Sequence, residues 1–175
     1  MIYTRRTVLR QWRADDEAEM AAVNRDPAVS QYLNRPVDDA AVGAFYGVMV
    51  QHWRDHGFGP WVVESTEPST RGEFLGFAGL AHLPPFLAAA GRGPELGWRL
   101  KQSAWGRGLA TEAAAAARDD AVGRVGVDEL ISVIHPANVR SQRVAIKLGM
   151  TLDRQVYNPV LERDVDVWVL RSDAL

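Results

Sequence analysis

The chain has 175 residues, 47% hydrophobic and 24% charged, with a net charge of −2 at pH 7. Those values are enough for a sizeable core and predict one domain over residues 1–175. So even a charge balance excludes a broad basic face for nucleic acid, and the absence of cysteine excludes disulfides, thiol nucleophiles and thiolate metal sites.

Residues 1–13 lack the apolar core of a signal peptide. No apolar run approaches the ~20 residues of a membrane span. The expectation is a cytoplasmic protein without membrane contact.

In chain order, Thr7 to Trp12 reads as a first strand. Asp15 and Asp16 are placed to cap a helix whose first turn is acidic, with Pro27 stopping it. Asp38 and Asp39 open a second helix, with Val42, Phe45 and Val48 or Met49 at helical spacing, ended by Gly57 and Gly59-Pro60. Trp61 to Glu64 and Glu73 to Leu83 make a hairpin across a turn at 67–72. Pro84 to Pro94 is small and apolar and reads as a loop over a cavity. Glu95 to Lys101 alternates strictly: Leu96, Trp98 and Leu100 share one face, Glu95, Gly97 and Arg99 the other. Gly97 inside that strand predicts a bulge or a close backbone approach. A glycine turn and an alanine-rich helix to about Val122 follow, then a strand at Leu130 to Ile134. Asn138 caps a helix that runs to Lys147 and ends at Gly149. Two strands close the chain, near Thr151 to Tyr157 and Arg163 to Leu170; alternation at Asp164 and Asp166 predicts a half-exposed strand. The order β-α-α-β-β-β-α-β-α-β-β is that of a mixed α/β (α+β) domain.

The most informative stretch is Trp105-Gly106-Arg107-Gly108-Leu109-Ala110-Thr111-Glu112 and the five alanines after it. Glycines at a strand-to-helix junction let the backbone come close to a ligand. The first helical turn offers unpaired N–H groups and the positive end of the dipole, which suits a pyrophosphate. A P-loop needs a Gly-Lys pair, which is absent, and a dinucleotide fingerprint needs a glycine where Thr111 stands. Gly108-Leu109-Ala110 fits a coenzyme A loop.

Here the chain resembles the GNAT superfamily of N-acetyltransferases, in particular its RimJ/RimL-like branch, the ribosomal-protein N-terminal acetyltransferase type. The likeness rests on Trp105 to Ala113, on Thr7 to Trp12 with Asp15-Asp16, on Glu95 to Leu100, and on Pro136 to Met150 with its Asn-x-x-Ser pattern at Asn138 and Ser141. It implies the GNAT fold, a mixed, mostly antiparallel sheet with helices on both faces. It implies acetyl-CoA as cosubstrate and acetyl transfer to a primary amine, either a protein N-terminus or a small molecule. A non-catalytic acyl-CoA-binding protein of the same fold is the alternative. Oligomeric state is left at monomer or homodimer.

By the same resemblance Leu100 runs along the pantetheine. Gly106, Arg107, Gly108, Leu109 and Ala110 cradle the pyrophosphate with Thr111 adding a hydroxyl, and Asn138 bonds the pantetheine amide. Asn138, Ser141 and Ala145 share one helix face. Many family members carry a tyrosine at the position of Ala145 to protonate the leaving thiolate; this chain offers Ser141 instead. Glu95 is the candidate base. An α-amine, with a pKa of about 7.7–8.0, needs little help at pH 7, whereas freeing a lysine of its proton costs about 4.6 kcal/mol. Trp53, Phe58, Trp61 and His82 are the candidate acceptor-site residues. No histidine stands in a metal-binding spacing such as H-E-x-x-H, so no metal is assigned and His52 and His56 read as a solvated helix end. Arg140 and Arg143 are expected off the Asn138 face, in solvent or with one of them reaching a cofactor phosphate.

Overall fold

A computed structural model describes residues 1–33, 38–91 and 93–171, apart from the side chain of Ala88. One eight-stranded sheet forms the frame. Its strands are β1 (Ile2–Tyr3), β2 (Thr7–Arg10), β3 (Pro60–Ser65), β4 (Phe74–Ala81), β5 (Glu95–Leu100), β6 (Glu129–Ile134), β7 (Thr151–Asn158) and β8 (Arg163–Arg171), in the spatial order β1-β2-β3-β4-β5-β6-β8-β7. Every neighbouring pair is antiparallel except β5–β6. The helices are α1 (Asp16–Arg25), α2 (Pro27–Ser30), α3 (Asp39–His56), α4 (Leu109–Asp120) and α5 (Val139–Lys147). The expected mixed, mostly antiparallel sheet with helices is the one observed. Among the described residues no helix is long and apolar enough to cross a membrane.

One face of the sheet is covered by α4. Ala113, Ala114, Ala117 and Ala121 are buried against Leu75, Ala78, Leu96 and Leu130. The alanine run has a packing reason: methyl side chains let the helix axis lie close to the strands. The opposite face is covered in two pieces. α1 and α3 place Met20, Val23, Phe45 and Met49 on Val62, Phe74 and Phe77. A 3₁₀ turn at Pro85–Ala90 places Leu87 and Ala90 on Ile131, Val133 and Val167. The space between the two pieces is left open.

Local departures from the sequence reading have identifiable causes. Pro27 begins α2 rather than only ending α1: it sits at the first helical position, where its missing N–H costs nothing, and Asp26 caps it by accepting from Ala28 N at 2.9 Å. Asp16 does not cap α1. Its carboxylate is buried, accepting both terminal nitrogens of Arg10 at 2.7 Å and the Arg13 amide at 2.6 Å. Gly97 makes no bulge, and a Cβ there would meet Phe77 at an ordinary 3.8 Å; the bulge lies in β3 at Val63/Glu64. β8 is not half-exposed: from Val165 to Leu170 both faces are buried, because the 3₁₀ turn covers one side and the main core the other. Asp166 is buried with them and accepts from Gln155 Nε2 at 2.8 Å.

Candidate active site

The site begins with a mismatch between two strands. β5 and β6 share a single register pair, Glu95↔Ile131. They are tied there by the Ile131 amide to the Pro94 carbonyl (3.1 Å) and by the Ser132 hydroxyl to the Leu96 carbonyl (2.6 Å). Beyond Leu96 the strands diverge. The opening is a cleft of about 380 Å³, walled by Trp98 and Leu100 on the β5 side and by Asn138, Ser141 and Val144 of the α5 region on the other.

The floor of the cleft is the glycine turn. Gly106 and Gly108 take φ of +73° and +78°. A Cβ on Gly106 would meet nothing within 4 Å, and one on Gly108 only the tip of Arg6 at 3.6 Å. The demand for glycine is therefore one of backbone dihedrals, not of space. Gly108 is the N-cap of α4, and the first closure of the helix is Glu112 N–H to Gly108 carbonyl at 3.0 Å. The N–H groups of Leu109, Ala110 and Thr111 precede that closure and line the cleft at the positive end of the dipole. Arg140, Arg143 and Lys147 also line it, so three cations border this cleft of a chain whose net charge is −2. Arg140 lies over the Trp105 ring at 4.8 Å. Of the two outcomes open for Arg140 and Arg143, solvent or the cofactor phosphates, the structure brings both side chains to the cleft.

The turn is held from behind. Glu112 accepts from Thr4 Oγ1 (2.7 Å), the Arg6 amide (2.6 Å) and Arg6 Nε (2.8 Å), while Arg6 Nη1 donates to the Arg107 carbonyl (2.9 Å). Burial alone pushes the Glu112 carboxyl up; the hydrogen bonds from Thr4 and Arg6, with the Arg6 charge, outweigh it and hold the pKa below 4.5. More than 100 residues separate these partners, so no local pattern marks them.

A second, smaller cavity of about 120 Å³ continues from the cleft across β5. It occupies the open space between the two packed pieces of the opposite face, with Phe45 and Met49 from α3, Phe77 and Gly79 from β4, and Leu87 and Val133 on the far wall. Glu95, Arg99 and His135 supply its charged or titratable groups. Arg99 bonds Asn24 and lies 5.1 Å and 5.4 Å over the rings of Phe45 and Phe77. His135 accepts the Ala137 N–H on Nδ1 (3.0 Å) and sits 5.2 Å from the Tyr32 ring. Its pKa is lowered from 6.5, first by burial and then by Arg163, with Asp166 opposing. Tyr32, Leu33, Trp98, Arg99, Asn138 and Ser141 border both spaces.

Of the residues singled out from sequence, Leu100, Gly106, Gly108, Leu109, Ala110, Thr111, Asn138 and Ser141 all line the cleft, and Glu95 and Ser141 line the second cavity together. Arg107 lines neither: its side chain turns out to an ion pair with Glu67. The Leu100 carbonyl accepts the Trp105 indole N–H at 2.8 Å. The Asn138 Oδ1 caps α5 by accepting from the Ser141 amide at 3.2 Å. Ala145, two turns on from Asn138, is wholly buried in the main core, whereas Asn138 and Ser141 are half-buried and reach the cleft. Trp53, Phe58, Trp61 and His82 line neither space. Strand alternation sends Pro60 toward the cavity and Trp61 to the α4 side, where Trp53 packs on it with ring centres 4.2 Å apart. His82 joins His52, His56 and Phe58 at the outer end of α3. Tyr32 and Arg99 also line these spaces; the sequence does not single them out because the contacts that aim them are tertiary, and the apolar alternation around Arg99 is the available hint.

A family model described as an acetyltransferase (GNAT) domain matches residues 6–151. Among solved structures, an acetyltransferase from Agrobacterium tumefaciens is 29% identical, with a TM-score of 0.82 over 97% of this chain and 93% of that one. RimJ of Mycobacterium smegmatis, solved with a CoA disulfide, is 18% identical with a TM-score of 0.77 over 97% and 83%. A spermidine N-acetyltransferase from Vibrio cholerae, solved with CoA and spermine, is 13% identical with a TM-score of 0.76 over 96% of each chain. The two latter likenesses concern the fold.

Proposed function

This chain belongs to the acetyltransferase (GNAT) family, and from that premise we propose that it moves the acetyl group of acetyl-CoA directly to a primary amine. The observation that carries this reading is the single splay between β5 and β6, which opens a cation-bordered cleft on one side and a smaller cavity on the other with Ser141 on both. The cleft fits the cosubstrate: amides of Leu109, Ala110 and Thr111 for the diphosphate, Arg140, Arg143 and Lys147 for its remaining charge, and Asn138 with the edge of β5 for the pantetheine arm. When bound, acetyl-CoA supplies an activated acyl group.

In this reading the amine enters the second cavity between Phe45, Phe77 and Arg99. Its nitrogen, freed of a proton toward Glu95 through water, attacks the thioester carbonyl; a C–N bond forms, the C–S bond breaks, Ser141 gives its proton to the departing sulfur, and the proton the nitrogen sheds on becoming an amide restores the Ser141 hydroxyl. Within the family we place the chain in the RimJ/RimL-like branch, on the support of Asn138-x-x-Ser141 and the Trp105 to Ala113 turn. An α-amine or another amine of modest pKa is the matching acceptor, since one carboxylate through water is a weak base. Residues 1–175 act in this reading as one domain, in the cytoplasm, as a monomer or homodimer.

The test is thiol release from acetyl-CoA across a panel of free amino acids, polyamines and peptides with free or blocked N-termini, with the acetylated product identified by mass spectrometry. Turnover with an amine is expected, and Ser141→Ala is expected to cut kcat about 100-fold while changing KM for acetyl-CoA much less. CoA binding without turnover on any amine would replace this reading with that of an acyl-CoA-binding protein. An unchanged kcat in Ser141→Ala would remove the serine from its role.

A further inference from the structure

The C-terminal end of α3 carries a group of side chains that acyl transfer does not use. His52 and His56, one helical turn apart, meet His82, which follows β4. Their nearest ligand atoms all lie within 4.8 Å of one another. The ring centres are 4.5 Å apart for His52–His56 and His56–His82, and 5.3 Å for His52–His82. Among the described residues this is the only group of three or more metal-ligating side chains so gathered.

We propose that His52, His56 and His82 form a binding site for a borderline divalent cation of the zinc, nickel and copper group. Three imidazoles without a thiolate are the donor set that such ions prefer over magnesium or calcium. His52 is already oriented as metal-ligating histidines are: its Nδ1 faces the Phe58 carbonyl at 2.9 Å, so Nδ1 carries the proton and Nε2 keeps its lone pair toward the cluster. That lone pair accepts the His82 main-chain N–H at 3.0 Å. A bound cation takes its place as the partner of Nε2, and the His82 peptide, on an exposed residue at the end of β4, rotates so that its N–H faces water. Zinc–nitrogen bonds of about 2.0–2.1 Å put ligand atoms roughly 3.3–3.4 Å apart in a tetrahedron. Side-chain rotation of His56 and His82, both exposed, together with that turn of the His82 peptide, closes the remaining gap. Phe58 stacks beside all three rings at 5.2 to 5.9 Å and shields one side of the site. The fourth position is left to water, as three protein ligands leave it in open zinc sites. The site joins the end of α3 to the end of β4, two walls of the second cavity, and it stands apart from the residues that line the cleft.

The test uses the full chain purified without a histidine tag. The chain has four histidines and no cysteine, so competing ligands are few. Titration with Zn²⁺ and with Ni²⁺ by calorimetry is expected to give one equivalent bound at micromolar or tighter Kd. A hundredfold excess over Kd is expected to raise the thermal midpoint by roughly 5–10 °C. His56→Ala and His82→Ala are each expected to weaken binding at least about tenfold, with metal-free midpoints unchanged because both side chains are exposed. His135→Ala, outside the cluster, is expected to bind as the parent chain does. No binding tighter than millimolar, or binding that survives the His56 and His82 changes, would reduce the cluster to an aromatic stack. Neither result depends on acetyl transfer, so the outcome is separable from the reading of the cleft.

Discussion

Gly108→Ala isolates the part of the site that rests on backbone geometry. Gly108 holds φ +78° and ψ 5° at the N-cap of α4, a left-handed conformation that costs an L-residue about 1–2 kcal/mol. A Cβ built there meets only the end of the Arg6 side chain, at an ordinary 3.6 Å, so sterics add little and the dihedral cost is the whole expected effect. At about 2–4 °C per kcal/mol for a domain of this size, the thermal midpoint should fall by about 2–8 °C. Asparagine tolerates the same conformation better, and Gly108→Asn should recover part of that loss. Ligand affinity adds an independent reading. If the alanine variant relieves its strain by rotating the peptide, the N–H of Leu109 turns from the cleft and CoA binds about tenfold more weakly by calorimetry, one charge-assisted hydrogen bond's worth. A variant with unchanged stability would refute the dihedral argument. A variant whose crystal structure shows the Leu109 N–H turned from the cleft, yet which binds CoA at full affinity, would refute the role of these amides in gripping a diphosphate.

Two further perturbations test what supports the turn and the sheet edge. Asp16→Ala leaves the Arg10 guanidinium, 4% exposed, with Glu64 as its remaining carboxylate partner; urea unfolding should show a loss of about 3–5 kcal/mol, whereas replacing both Arg10 and Asp16 by apolar residues of similar volume should cost much less. Glu112→Gln should destabilise the chain at pH 7 by about 1–3 kcal/mol through its lost charge-assisted bonds. Because the folded pKa of Glu112 lies below the 4.5 of the free side chain, its contribution is complete above that value and is lost as pH falls through the folded one. Denaturation midpoints of parent and variant should therefore converge below about pH 4, and a gap that stays constant from pH 7 to pH 3 would contradict the pairing with Arg6.

The sequence made the local elements legible where a side chain dictates its own backbone. Asp38 caps α3 by accepting from Ala41 N at 2.7 Å, Gly57 ends it in the left-handed region, and the two glycines of the turn stand where a pyrophosphate loop needs them. Alternation placed Leu96 and Leu100 in the core and sent Glu95 and Arg99 the other way. It failed where burial on both faces erases the pattern, as at Asp166, and where a polar residue answers a distant partner instead of its own helix, as Asp16 does for Arg10. Trp53, Phe58, Trp61 and His82 fall outside both spaces for a related reason. A strand residue next to one that lines a cavity faces the other way, and Trp61, beside Pro60, faces the α4 core.

One structural event generates both halves of the site, and that event has no local signature. Ser132 and the Ile131 amide fasten β6 to β5 only at the Glu95 end, so the strands part toward Leu100, and the edge of β5 that β6 leaves unpaired becomes a wall shared by the cleft and the second cavity. Glu95 is held at the fixed end of this opening. Ser141 reaches it from the first turn of α5, whose position Asn138 sets by capping. The acid and the hydroxyl thus belong to different frames, one to the pivot of the sheet and one to the helix that spans its mouth. A change in the width of the splay shifts them relative to each other while leaving the glycine turn, anchored separately through Glu112 to β2 and its flank, where it is. On the proposed function, diphosphate binding and the alignment of Glu95 with Ser141 are for this reason expected to be separable by mutation: changes at Gly108 and Glu112 should act on the first, and changes at Ser132 or Asn138 on the second.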